Sequence, residues 1–170
     1  MRNVQEILKK RAEELSKPLK VDEGKEDLIE VVLFNLANEV YGLEAAYVRE
    51  IYPVSEVTKL PGVPEYIHGV MNVRRKIIPI IDLKFFFGLE KTKNIHNQRV
   101  IILEQGEMEF AILTDKIIDI RFIPSHTLQS GIPTLTGVRQ EFLKGITPER
   151  YIILDGDKLL NDNHLVIEEE

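Results

Sequence analysis

The chain has 170 residues, 44% of them hydrophobic and 29% charged, with a formal net charge of -6 and no cysteine. That is enough apolar material for a sizeable core, so disorder is excluded for most of the chain. The acidic balance, with Arg74-Arg75-Lys76 as the only tight basic triplet in the folded part, speaks against a nucleic-acid footprint. The missing thiols remove disulfides, thiolate catalysis and Cys-ligated zinc, and fit a reducing cytoplasm.

Val4, Ile7, Leu8 and Leu15 fall at helical spacing in a charged stretch, and Pro18 ends the pattern; residues 1–28 read as an N-terminal extension of helix plus linker. The first residues lead into alternating charge with no apolar stretch, so no secretory signal is expected, and no apolar run approaches the roughly 20 residues of a membrane span. From Glu30 the texture becomes β. Glu30–Leu36 and Glu39–Leu43 read as a hairpin across Ala37-Asn38, and Tyr47–Tyr52 as a strand ended by Pro53. The prolines and glycine of Leu60–Pro64 make a loop. His68–Val73 and Ile77–Ile81 form a second hairpin across Arg74-Arg75-Lys76. Asp82 then caps a short helix, Leu83–Phe87, stopped at Gly88; two of the rings of Phe85-Phe86-Phe87 are expected to cover a barrel end.

The second half repeats this order. Arg99–Leu103 and Met108–Leu113 flank a turn with Gly106, Ile117–Phe122 ends at Pro124, and a loop runs to Gln140. Phe142–Thr147 and Arg150–Leu154 make a last hairpin before a helical turn at Leu159 and Leu160. Tyr41, Leu43, Val48, Glu50 and Ile51 match Phe110, Ile112, Ile117, Asp119 and Ile120 at one constant offset, and Gly69-Val70 echoes Gly145-Ile146. An internal duplication follows, with five strands per half, lobes near 29–90 and 98–161, and strands open to exchange between them. Five short strands are enough to close a small barrel filled by side chains, whose function then sits on its outside.

Chemistry is hard to find. His68, His96, His126 and His164 are far apart and match no metal-ligand spacing, and no nucleophile elbow or phosphate-cradling loop is present. Asp155-Gly156-Asp157 with Asn161-Asp162-Asn163 has the wrong glycine position and interrupting leucines for a calcium loop, so turn and cap roles are expected. Asp82, Asp115 and Asp155 follow apolar strands, where a capping carboxylate is the ordinary explanation. No catalytic residue, cofactor or metal is expected.

The segment from Leu60-Pro61 through Tyr66, Gly69-Val70 and Asn72-Val73-Arg74 to Ile77-Ile78-Pro79-Ile80-Ile81-Asp82-Leu83 closely resembles the CheW family of chemotaxis coupling proteins. Tyr41-Gly42-Leu43 with Val48-Arg49-Glu50-Ile51, and Ala111-Ile112-Leu113-Thr114-Asp115, match two further elements. The likeness spans Glu30 to Asn161. It implies a mostly β fold of two packed five-stranded SH3-like barrels over residues 29–170. It also implies a cytoplasmic, non-enzymatic adaptor recruited to membrane-bound receptor arrays. The partners it implies are the regulatory domain of the histidine kinase CheA and the cytoplasmic tip of a methyl-accepting chemoreceptor.

Carried over by position, Val48, Glu50, His68, Gly69 and Arg74 fall where the family places partner-sensitive residues. Gly69 would admit a partner's close approach, and Arg74 at a hairpin tip would pair with a partner carboxylate, the alternative being an internal ion pair. The glycine that usually follows the motif arginine is Arg75 here, which makes a positive φ expensive. A scaffold of the same fold in a non-chemotaxis motility or surface-sensing pathway is the competing reading. A small-ligand barrel would need a cavity with convergent polar groups, and a nucleic-acid barrel would need aromatic residues on a basic face.

Overall fold

The structure, a computed structural model, describes residues 27–89, 98–130 and 140–162. The helix expected near the N-terminus, most of its linker, His96, His164 and much of the loop before Gln140 lie outside these residues. The first hairpin forms from β1 (Leu28–Leu36) and β2 (Glu39–Glu44), with Leu36 opposite Glu39 across the Ala37-Asn38 turn. A 3-10 turn, Ala45–Tyr47, leads into β3 (Val48–Pro53), so Tyr47 precedes the strand expected to contain it. β4 (Val57–Thr58) has no counterpart in the sequence reading, because two residues carry no alternation to detect. β5 (Ile67–Val73) and β6 (Lys76–Ile81) make the second hairpin, followed by α1 (Leu83–Phe86).

The second half runs β7 (Arg99–Gln105), β8 (Met108–Thr114) and β9 (Lys116–Pro124), a 3-10 turn at Ser125–Thr127, then β10 (Leu143–Ile146), β11 (Ile152–Leu154) and α2 (Gly156–Leu160). The last strand starts later than expected. Arg150 has φ 71° and its N–H donates to the Thr147 carbonyl, which keeps it in the turn.

Sheet membership does not follow chain order. One sheet runs β10-β11-β2-β1-β9 and the other β3-β7-β8-β6-β5-β4. Each half lends its first hairpin to the other half's strands, by one scheme used twice. β1–β2 joins β9 antiparallel and β11 parallel, while β7–β8 joins β3 antiparallel and β6 parallel. The expected barrel ladders are not continuous among the described residues. Instead each curled sheet joins its edges through the chain: after β9, Gln129 bridges Ile146 of β10, and after β3, β4 pairs with β5.

The exchange explains why β1 and β7 are apolar on both faces. Val31 and Leu33 enter the core of the first sheet with Ile123 and Ile153, whereas Val32, Phe34 and Leu36 face the seam. On β7, Val100 and Ile102 pack with Met71, Ile78 and Ile80, while Ile101 and Leu103 join the seam. Fully burying a side chain of this size contributes roughly 1.5–3 kcal/mol. The seam core draws on both sheets, so the lobes are joined by their largest apolar surface.

Both short helices start from carboxylates. Asp82 accepts a hydrogen bond from the Lys84 N–H at 3.0 Å and Asp155 from the Lys158 N–H at 3.1 Å, satisfying donors that a helix start leaves unpaired. Phe86 and Phe87 pack edgewise and tilted against Phe142, and Tyr66 meets Phe86. The expected pair of covering rings therefore closes the seam between the sheets.

Candidate partner-binding surface

Val48 opens β3 opposite Leu103, and Glu50 pairs with Ile102, so the register shifts between them. A bulge of this kind turns the extra residue out of the ladder. Arg49 occupies it and faces outward to a cluster of charges. It pairs with Glu104 at 3.6 Å and with Glu109, and Glu109 also takes Lys76 at 2.8 Å. Burial acts to raise the Glu109 pKa, but the hydrogen bonds and charges of Lys76 and Arg49 outweigh it and hold the carboxyl below its usual range. Val48 itself is half-buried against the seam and lines a recess of about 410 Å³ with Ala46, Tyr47, Arg49, Glu104 and Gly106.

Glu50 meets Arg74. The guanidinium lies 2.9 Å from Glu50 Oε1, joining the bulged strand to the tip of the β5–β6 hairpin. Arg74 is nevertheless exposed, its side chain keeping 68% of its accessible surface. Two of the motif positions are thus brought together, and Arg74 does make the internal pair that was its alternative role. The hairpin turn is a two-residue one, Val73 facing Lys76, with φ 52° at Arg74 and 68° at Arg75. Positive φ at both central residues suits the right-handed twist of the flanking strands, as Asn-Gly turns do. The chain adopts this geometry with two arginines, at the expense that a Cβ imposes in the left-handed region.

His68 and Gly69 stand elsewhere. They are the second and third residues of β5, six and five residues and roughly 17–20 Å along the strand from Arg74. A Cβ on Gly69 would lie 2.6 Å from the Thr58 carbonyl oxygen, so the space that glycine opens is taken by this chain's own β4. That corrects the reason offered for Gly69: the close approach is intramolecular. His68 is half-buried, and burial pushes its pKa down while the Asp82 carboxylate partly opposes the shift. Burial raises the Asp82 pKa, with Lys84 pulling the other way.

Three features escape a residue-by-residue reading. Lys84, buried on α1, places its ammonium 2.6 Å from Asp115 Oδ1, and Asp115 Oδ2 accepts the Ala37 N–H at 2.8 Å. The motif aspartate therefore clamps the β1–β2 turn and ties α1 to it. The Arg49–Glu109–Lys76 cluster is equally silent in sequence, since its members come from three strands. The β2–β11 junction leaves a cleft of about 310 Å³ lined by Val40, Ile146, Glu149, Arg150 and Tyr151 among others. Among the described residues no group of three His, Cys, Asp or Glu is placed to hold a metal. Asp155 serves as the cap above, and Asp157 accepts from Gln105 and Asn161 side chains.

A family model described as the CheW-like domain matches residues 30–164. "Chemotaxis protein CheW" of Klebsiella aerogenes is 31% identical over 141 residues, covering 81% of this chain and 85% of that protein. "Protein PilI" of Pseudomonas aeruginosa is 27% identical over 113 residues, covering 66% and 64%. The crystal structure of the scaffolding protein TtCheW from Thermoanaerobacter tengcongensis superposes with a TM-score of 0.69 at 32% identity, covering 78% of this chain and 88% of that one.

Proposed function

The chain belongs to the CheW-like domain family, and from that premise we propose that it is a non-enzymatic adaptor coupling chemoreceptors to the histidine kinase CheA. The observation carrying the proposal is the order of matched elements together with the face they build. Glu50 of β3 and Arg74 of the β5–β6 turn meet at one end of the six-stranded sheet, with Val48 two residues before Glu50 and Arg49, Lys76 and Glu109 paired nearby. A rigid, charged, partly apolar face of this kind suits protein recognition, where charge pairs set register and partner choice. The kinase's regulatory domain and the receptor's cytoplasmic tip are the two partners proposed for the adaptor, and His68 and Gly69, away from the Arg74 turn, are proposed as further partner-sensitive positions. Residues 29–170 are proposed as the adaptor unit and 1–28 as its N-terminal extension. Among the described residues no helix is long and apolar enough to cross a membrane, and action beside receptor arrays in the cytoplasm is part of the same proposal.

Calorimetric titration with each partner tests it. Saturable binding to the kinase domain, without turnover of any small molecule, is the expected result, and absence of binding to either protein would sink the proposal. Arg74→Ala should weaken one partner while leaving melting nearly unchanged, because its ion pair with Glu50 is exposed and such pairs are worth about 0–1 kcal/mol. A large loss of stability would make Arg74 structural instead. The relative named Protein PilI keeps a second reading in view, a scaffold of the same fold in a non-chemotaxis pathway. Binding to a kinase but to no chemoreceptor would favour it.

A further inference from the structure

Arg75 stands out at the tip of the β5–β6 hairpin. Its φ of 68° is a conformation that a side chain disfavours, and a glycine there would remove the strain. Its neighbours are all engaged: Arg74 with Glu50, Lys76 with Glu109, Arg49 with Glu104 and Glu109. Arg75, exposed, has no ion pair among the described residues. Glu50, Glu104 and Glu109 are each already paired with one of these other cations. A second feature lies two residues on, where Ile77 keeps 58% of its surface exposed, more than Ile118, the other large exposed hydrophobic among the described residues. Ile77 faces Asn72 across the hairpin, on the same projecting ribbon as the turn.

We propose that Arg75 and Ile77 form a specificity contact for the protein that docks on the Val48–Glu50–Arg74 face, Arg75 pairing with a carboxylate of that partner and Ile77 resting against an apolar side chain beside it. The inference rests on the adaptor reading and deepens it. The turn fixes the Arg75 backbone on a short, hydrogen-bonded ribbon, so only the side chain is left to order when a carboxylate arrives, and the planar guanidinium can donate two parallel hydrogen bonds to it. The occupant is defined by chemistry: a protein surface bearing an acidic residue next to an apolar one. The strain in the turn is then the cost of placing a cation where glycine would fold more easily.

The experiment measures binding of the full chain to the kinase regulatory domain and to a receptor-tip fragment, with melting curves for each variant. Arg75→Gly should raise the melting temperature by about 2–4 °C, as the backbone strain is removed. The same variant should weaken the partner that Arg74→Ala also weakens by about three- to tenfold, and flatten the salt dependence of that binding. Arg75→Asn, which tolerates the turn but carries no charge, should behave like Arg75→Gly. Ile77→Ser should weaken the same partner without lowering the melting temperature. Unchanged affinity in Arg75→Gly overturns the inference while leaving the adaptor reading standing. Full affinity in Arg75→Asn alone overturns it too, since turn shape and not charge would then be what the partner reads. A wild-type chain that binds neither protein overturns both.

Discussion

The two sheets are built by one pairing scheme, yet they solve the same local problems with different residues. At the hairpin turn of β1–β2 stands Ala37 with φ 55°, and at the matching position of β7–β8 stands Gly106 with φ 61°. Alanine is strained in that region and glycine is not, and only the alanine turn has its N–H held by a distant carboxylate, Asp115 Oδ2. One strand further in, Gly42 of the five-stranded sheet matches Ala111 of the other. Between parallel strands β6 and β8, Lys76, Glu109 and Arg49 fill the end of the sheet, whereas the corresponding β11–β2 junction opens as the 310 Å³ cleft. The lesson is that the duplicated backbone tolerates exchange of packing and polar devices, provided each turn and each close approach is satisfied somewhere.

The largest expected effect comes from the clamp that one half has and the other lacks. Asp115→Ala leaves the Lys84 ammonium buried without its partner and the Ala37 N–H unpaired, and should cost about 3–5 kcal/mol in denaturant unfolding. A loss under 1 kcal/mol would mean the pair is not buried as described. Next is the sheet interior. A Cβ at Gly42 would lie 2.5 Å from Val31 Cγ1 and 2.7 Å from Ile153 Cδ1, so Gly42→Ala should cost about 1–3 kcal/mol through overpacking. Ala111→Gly in the matching place should cost less, about 1 kcal/mol, and equal losses would erase the contrast between the two cores.

The turns give smaller, opposite effects. Ala37→Gly should stabilise by roughly 0.5–1 kcal/mol and Gly106→Ala should destabilise by about the same amount. Equal signs in the two thermal melts would break the comparison. The smallest effect is a pH dependence. His68 of β5 corresponds to Lys144 of β10, through the Gly69 and Gly145 that follow them. The His68 pKa lies below 6.5 in the folded chain, chiefly because burial disfavours the imidazolium. The unfolded chain then binds the proton first as pH falls, so stability declines as pH drops from about 6.5 towards the folded value. Lys144 has a raised pKa, chiefly from its hydrogen bond to Glu44, and its contribution is fully present below 10.5 and fades only as pH rises through the folded value. Acid sensitivity between pH 7 and 5 should therefore diminish in His68→Gln and persist in Lys144→Gln, read from unfolding midpoints at each pH.

Much of this fold is legible in the sequence because its signals are local. Alternation in His68–Val73, the proline ending β3, the cap at Asp82 and the stop at Gly88 each depend on a few adjacent residues. The repeat is legible for the same reason, since one offset aligns Tyr41 to Ile51 with Phe110 to Ile120. β4 is too short to show alternation, and an aromatic next to Val-Arg-Glu-Ile fits either a strand or the 3-10 turn that Tyr47 occupies. In the candidate site, the motif marks Val48, Glu50 and Arg74 as positions along the chain, but neither the pairing of Glu50 with Arg74 nor the separation of His68 and Gly69 from them is written in it.

By itself, then, the sequence determined the strands, their turns, the capped helices and the family resemblance, because backbone preference and side-chain periodicity act within a few residues. Only the tertiary structure decided which hairpin joins which half, that Thr58 occupies the space over Gly69, and that Lys84 finds Asp115. Those outcomes depend on burying the second apolar face of β1 and β7 and on satisfying charges carried by strands far apart in the chain, and no local pattern encodes them.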